Sequence, residues 1–158
     1  MSFPVRCPGD PIHRNCKHLR ASKACSTFPG ANQVIVGLGC DLVEVGAVAK
    51  ELARGGWTVS DRVFTTREIS WCGGSRQPEH HFAACFAAKE ATLKALGTGV
   101  VDLGIFHEVE TEFVRGLCPR IALGDRLQAI AAGLGVRRIT LSVAGSSKRV
   151  AAMVVLES

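Results

Sequence analysis

The stretch His81–Gly99, HFAACFAAKEATLKALGTG, decides the fold. Alanine, leucine, lysine and glutamate are strong helix formers, Pro78 and Glu79 suit a first turn just ahead of it, and Gly97 is placed to end it. The spacing predicts a helix of about five turns. At 100° per residue, Phe82, Cys85, Phe86, Leu93 and Leu96 share one stripe, while Ala83, Ala87, Glu90 and Lys94 share a second about a quarter-turn away. The first stripe reads as core. The second holds a carboxylate and an ammonium at i and i+4 among alanines, which let another element or a ligand come close. The same spacing also describes an ordinary Glu–Lys helix pair on a solvated face.

A second stretch, VIVGLGCDLVEV at 34–45, reads as a strand because β-branched residues alternate along it. Val34, Val36, Leu38, Cys40 and Leu42 fall on one side, and Ile35, Gly37, Gly39 and Asp41 on the other. Again a carboxylate ends a face stripped of side chains, which suits a site that must admit phosphates and a hydrated ion. The alternative is that the glycines mark a bulge and Asp41 caps the helix that follows.

Together these stretches resemble the holo-acyl-carrier-protein synthases, the small-type 4′-phosphopantetheinyl transferases. The resemblance rests on GLGCDLVEV at 37–45, RVFTTRE at 62–68 and FAACFAAKEATLKALGTG at 82–99. Gly116-Leu117-Cys118-Pro119 and LSVAGSSKRVAAMVVLE at 141–157 add to it. It covers about 125 residues in the family's order, from Val34 to the C-terminus, and the KEAxxKALGTG run is its specific part.

The resemblance implies transfer of the phosphopantetheine arm of coenzyme A to a serine of an apo acyl carrier protein, releasing adenosine 3′,5′-bisphosphate. It implies Mg²⁺ held by Asp41 and Glu90, with Lys94 completing the catalytic set. It places Lys89, Lys94, Gly97, Thr98 and Gly99 at cofactor-binding positions, although a helix stop explains the glycines equally well. Magnesium suits such chemistry, since it takes one or two carboxylates plus phosphate oxygens and keeps several waters. Family members of this size form homotrimers with sites between subunits, and their carrier partners are acidic.

Two positions depart from the family pattern. The docking arginine expected two residues after Val45 is Ala47, with Lys50 and Arg54 nearby. The histidine that ends an SxSH run in the family, close to the phosphates, is Gly145 in Ser142-Val143-Ala144-Gly145. These departures keep a second reading open, a non-catalytic relative that binds coenzyme A or a carrier protein without transfer. A third is a different magnesium-dependent phosphate enzyme, in which the same acids activate water.

The remaining chain reads as an α+β domain, a small antiparallel sheet packed on one long helix. Helices are expected over 46–54, over 62–71 with Thr65 or Thr66 opening it and Glu68 as capping partner, and over 125–134. Strands are expected over 105–114, 120–123, 137–144 and 149–157, with a hairpin turn at 116–119. His80 and His81 point about 100° apart on a helix and read as surface residues rather than a metal pair.

At 158 residues the chain suits one domain without disulfide staples. Residues 1–33 differ from the transferase domain expected over 34–158. Arg6, Arg14, Lys17, Arg20 and Lys23 stand there against Asp10 alone, so +4 of the +5 net charge lies in this proline-rich arm, which reads as poorly ordered. Cys7, Cys16 and Cys25 with His13 and His18 match no compact zinc-finger spacing. Seven cysteines without a pairing pattern, and no apolar run near the ~18–20 residues of a membrane span, make a reduced, cytoplasmic protein the expectation. No membrane or nucleic-acid partner is expected of it.

Overall fold

The structure is a computed structural model that describes residues 34–55, 63–99, 103–113 and 118–158. The basic arm and its cysteines and histidines therefore lie outside the described residues. So do Gly116 and Leu117 of the expected hairpin turn, and Arg62 at the expected start of a helix.

Strand β1 (Ile35–Glu44) runs directly into helix α1 (Val45–Ala53). Helix α2 (Thr66–Gly73) follows, opened by a full capping box: the Thr65 hydroxyl accepts from the Glu68 backbone N–H, and the Glu68 carboxylate accepts from that of Thr65. Helix α3 (Pro78–Leu96) is the predicted central helix, with Pro78 in its first turn and Gly97 at φ 70° as a left-handed stop. A short 3-10 helix (Leu103–Glu108) leads into β2 (Val109–Glu112), which pairs antiparallel with β3 (Arg120–Leu123). Helix α4 (Asp125–Gly133), β4 (Arg138–Gly145) and β5 (Arg149–Glu157) complete the chain.

The strand expected from Ile105 begins only at Val109. Ile105 and Phe106 are consecutive and both buried, which a strand packed on one face cannot achieve but a 3-10 turn can. The buried ammonium of Lys89 also donates to the carbonyls of Phe106 and Val109, holding that turn against α3.

The main sheet has the order β1-β5-β4, all antiparallel. Register places Gly37, Gly39, Asp41 and Val43 beside Leu156, Val154, Ala152 and Val150 of β5, which pair in turn with Ile139, Leu141, Val143 and Gly145 of β4. Period-two alternation turns this row toward α3, and Val150, Ala152, Val154 and Leu156 are all buried there. Leu38, Leu42 and Met153 lie on the opposite face and are exposed. The pairing register shifts between Ile35 and Gly37, an irregularity at the start of the glycine-bearing stretch for which a bulge was the alternative reading.

The two inner glycines have another cause. A Cβ at Gly39 would overlap the Ala91 carbonyl oxygen, and one at Gly37 that of Ala95. The helix backbone thus lies directly on the strand backbone. The β1 face read from sequence as suited to phosphates is filled at Gly37 and Gly39 by this contact, and the alanine face of α3, read as admitting another element or a ligand, admits the strand at Ala91 and Ala95. Ala83 and Ala87 on that face are buried as well. Helix α3 is consequently enclosed on most sides, with Phe82, Cys85, Leu93 and Leu96 in the core as expected, and Phe86 half-buried and stacked on Phe106.

Candidate functional site

Where the seam between β1 and α3 ends, its small residues give way to charge. Asp41 is the first inner-face residue of β1 after Gly39, and Glu90 and Lys94 are one turn apart on α3. The Lys94 ammonium lies 2.7 Å from Asp41 Oδ1 and 3.3 Å from the Cys40 carbonyl oxygen. The three residues that the sequence singled out as a catalytic set are therefore brought together.

Their electrostatics are those of a shared site. Burial raises the pKa of Glu90, the Asp41 carboxylate raises it further, and the Lys94 ammonium opposes both. Lys94 is held charged chiefly by its hydrogen bond to Asp41. Two neighbouring carboxylates, one of them reluctant to ionise, form a locus that favours added positive charge.

No cluster of three or more His, Cys, Asp or Glu side chains capable of holding a metal occurs among the described residues. A cation at Asp41 and Glu90 would thus have two protein ligands and draw the rest from water and substrate. That donor set fits magnesium and not a structural zinc.

The loop after α3 presents backbone rather than side chains. Gly97 and Gly99 adopt left-handed φ values of 70° and 62°, and open space surrounds the Cβ position of each. The N–H groups of Gly97 and Thr98 close the helix on the carbonyls of Lys94 and Leu93, and the Thr98 hydroxyl donates to Leu93 as well. The helix-stop role of these residues is thereby accounted for, with exposed backbone left beside Lys94.

Lys89 requires a correction. The resemblance placed its ammonium at the cofactor, but the residue is fully buried, one position and so about 100° round the helix from Glu90. Its Nζ lies 2.8 Å from Glu68 Oε2 and donates to the carbonyls of Phe106 and Val109. Three donors meet three acceptors in the interior, which leaves nothing for a phosphate. Burial lowers the Lys89 pKa and Glu68 opposes that shift. Glu68 is equally committed, since its other oxygen accepts from the Thr111 backbone N–H. Sequence reasoning gave Glu68 a cap and did not pair it with Lys89, because the two stand on different helices with 20 positions between them and no local spacing links them.

Position 145 also looks different in three dimensions. The imidazole of His80, from the first turn of α3, reaches across to the end of β4, and its Nε2 lies 3.0 Å from the Ser146 carbonyl oxygen. His81 turns the other way, its Nδ1 3.0 Å from the Gln77 carbonyl oxygen and its ring edge-on to Trp71. The two histidines diverge as the helical spacing predicts, but His80 is tied to the sheet.

Near Ala47, a hollow of about 320 Å³ is lined by Glu44, Gly46, Ala47, Lys50, Glu51 and Arg54. Arg54 pairs with Glu51 at 3.1 Å, and Arg149 reaches from β5 to Glu44 at 3.2 Å. These contacts are exposed and individually weak.

Comparison with known proteins gives a consistent result. Residues 37–144 match the family described as the 4′-phosphopantetheinyl transferase superfamily. A holo-[acyl-carrier-protein] synthase from Koribacter versatilis is 37% identical over 124 residues, covering 78% of this chain and 99% of the relative. One from Vibrio cholerae is 36% identical over 124 residues, covering 78% and 98%. Among solved structures, the holo-[acyl-carrier-protein] synthase of Neisseria meningitidis superposes with a TM-score of 0.71 at 28% identity, covering 79% of this chain and all of that one. The Bacillus anthracis holo-(acyl-carrier-protein) synthase, solved in complex with CoA (3′,5′-ADP), gives a TM-score of 0.62 at 29% identity, covering 78% and 97%.

Proposed function

The chain belongs to the 4′-phosphopantetheinyl transferase superfamily, and we propose that it transfers the phosphopantetheine arm of coenzyme A to a serine of an apo acyl carrier protein, releasing adenosine 3′,5′-bisphosphate. The observation that carries this reading is the convergence of Asp41, Glu90 and Lys94 where the β1–α3 seam ends. Asp41 and Glu90 would hold the magnesium, which when bound neutralises charge on the pyrophosphate and orients it.

Each residue then has a distinct task. Lys94 bonds Asp41 before substrate arrives, which keeps the carboxylate oriented and places a cation within reach of a phosphate oxygen. Glu90, its pKa raised, gains most from the arrival of positive charge. Gly97, Thr98 and Gly99 offer a path with little side-chain bulk along which the cofactor can lie against backbone. The hollow at Ala47, rimmed by Lys50 and Arg54, is the surface on α1 that would meet an acidic carrier.

The reading extends to assembly and location. The exposed Leu38, Leu42 and Met153 on the outer face of the sheet fit a homotrimer with sites between neighbouring copies. The described cysteines Cys40, Cys72, Cys85 and Cys118 are free thiols, in keeping with a reducing cytoplasm. The departure at Gly145 favours the second reading, a relative that binds without transfer.

One experiment separates the two. An apo acyl carrier protein is incubated with this protein, coenzyme A and Mg²⁺, and its mass is measured beside Asp41→Ala and Glu90→Ala variants. A mass gain of one phosphopantetheine arm that needs both acids supports transfer. No gain across several carrier proteins, despite measurable coenzyme A binding, supports the non-catalytic relative.

A further inference from the structure

Helices α2 and α3 are joined by residues 74–77 alone, and they meet in two consecutive rungs. Glu68 and Lys89 make the first, the buried ion pair described above. One turn onward along α2 and one turn back along α3 stand Cys72 and Cys85, with their sulfur atoms 3.6 Å apart. Pairing 68 with 89 and 72 with 85 is the register of two antiparallel helices in direct contact. Both thiols are fully buried, and the transfer chemistry uses neither.

We propose that Cys72 and Cys85 form a redox modification site, oxidised by a hydroperoxide to an intrachain disulfide that staples α2 to α3. The proposal stands on this geometry and is independent of the transferase reading.

A disulfide sets its sulfurs at about 2.05 Å, so the pair has to close by roughly 1.5 Å. Helix α2 is the element placed to yield. It has eight residues, Cys72 is the last but one of them, and Gly73 and Gly74 follow directly, with open space around the Cβ position of Gly73. The end of α2 can therefore shift toward α3 without driving a side chain into a neighbour. Helix α3 is the fixed partner, since its backbone rests on that of β1 at Gly37 and Gly39.

Burial decides when the reaction can start. The hydrogen bond with Cys72, and then burial, push the Cys85 thiol up, so in the closed fold it stays protonated and unreactive. Oxidation accordingly begins at Cys72, when the short end of α2 opens to solvent. The peroxide transfers one oxygen to the Cys72 sulfur, giving a sulfenic acid, and its remainder leaves as water. The Cys85 sulfur then attacks the Cys72 sulfur, and the Cys85 proton leaves with the hydroxyl as a second water. Two electrons have passed from the thiols to the peroxide, and the S–S bond is formed. Exchange with an added dithiol restores both thiols.

The test exposes the full-length chain to graded hydrogen peroxide below its thermal transition, blocks the remaining thiols with N-ethylmaleimide and weighs the tryptic peptides. Cleavage after Arg67, Arg76 and Lys89 leaves Cys72 in residues 68–76 and Cys85 in residues 77–89. The expected product is these two peptides joined, about 2 Da lighter than the sum of their thiol forms and separated again by dithiothreitol. The oxidised chain should melt about 5–10 °C above the reduced one, the effect of a staple across a short loop offset by some native strain. Cys72→Ala and Cys85→Ala variants should show no oxidant-dependent rise. Absence of the joined peptide at doses that consume the exposed Cys40 overturns the proposal. So does a joined chain whose Tm is unchanged or lowered. The peptide measurement is made on the unmodified chain, so it decides the question even where a variant fails to fold.

Discussion

The ammonium of Lys94 and the carboxylate of Asp41 lie 2.7 Å apart across the junction of α3 and β1, and the backbone carbonyl of Cys40 shares the same cation. The pair is half in solvent on the lysine side and mostly shielded on the aspartate side, with side-chain exposures of 48% and 16%. So disposed, it orients a carboxylate more than it stabilises a fold.

Asp41→Asn is expected to lower transfer by about 10²-fold or more, in the range for loss of a charge that stabilises a phosphoryl transition state. Stability should change little, since the pair it breaks is partly solvated. Turnover at saturating Mg²⁺ beside a urea titration checks both halves of the statement.

Metal affinity and stability should respond to pH through Glu90. Burial, then Asp41, raises its folded pKa above the unfolded value, so the folded state binds more protons than the unfolded one. This contribution to stability is full below the unfolded carboxylate value, about 4.3, and is lost as pH rises through the folded pKa. Added Mg²⁺ should offset that loss, and its affinity should fall as the solution is acidified. Tm against pH, measured with Mg²⁺ and with a chelator, gives two curves that diverge toward neutral pH if this is right.

Lys89→Met is expected to cost about 3–5 kcal/mol, because Glu68 is left charged and unpaired in the interior. The double change Lys89→Met with Glu68→Leu should recover much of that loss, even though it also removes a cap at Thr65 and a partner of the Thr111 N–H. Urea unfolding of the two variants is the measurement. Equal destabilisation in both would mean that the backbone bonds, and not the ion pair, hold the α2–α3 contact.

Gly39→Ala should destabilise toward the upper end of the about 1–3 kcal/mol typical of overpacking, or prevent folding, since its Cβ would overlap the Ala91 carbonyl. Gly46→Ala in α1, where nothing lies within 4 Å of the added carbon, should instead stabilise by about 0.5–1 kcal/mol. Thermal unfolding of the two alanine variants makes the comparison.

The long helix, its stop at Gly97 and the β5 alternation were legible in sequence because each rests on local periodicity or on one residue's backbone preference. The clustering of Asp41, Glu90 and Lys94 was implied by the family resemblance, and the spacing of Glu90 and Lys94 by itself equally described an ordinary helix pair. The meaning of the small residues themselves was not legible. Glycine and alanine leave the same one-dimensional pattern whether they make room for a ligand or for a neighbouring backbone, and only the register of β1 against α3 distinguishes the two. Lys89 and His80 were missed for the opposite reason. Each is defined by a partner far along the chain, Glu68 in one case and Ser146 in the other, and a lysine or histidine on a helix says nothing of which remote oxygen it will find.

The contact of β1 backbone with α3 backbone at Gly37, Gly39, Ala91 and Ala95 has a bearing on how this protein can drift. Asp41 and Glu90 are mounted on two main chains that touch directly, so no pliable layer of side chains sets the gap between the acids. Substitutions elsewhere in the interior can erode the margin against unfolding while the spacing of the acids stays the same. A side chain at Gly37 or Gly39, in contrast, meets the helix main chain itself and moves the two acids apart.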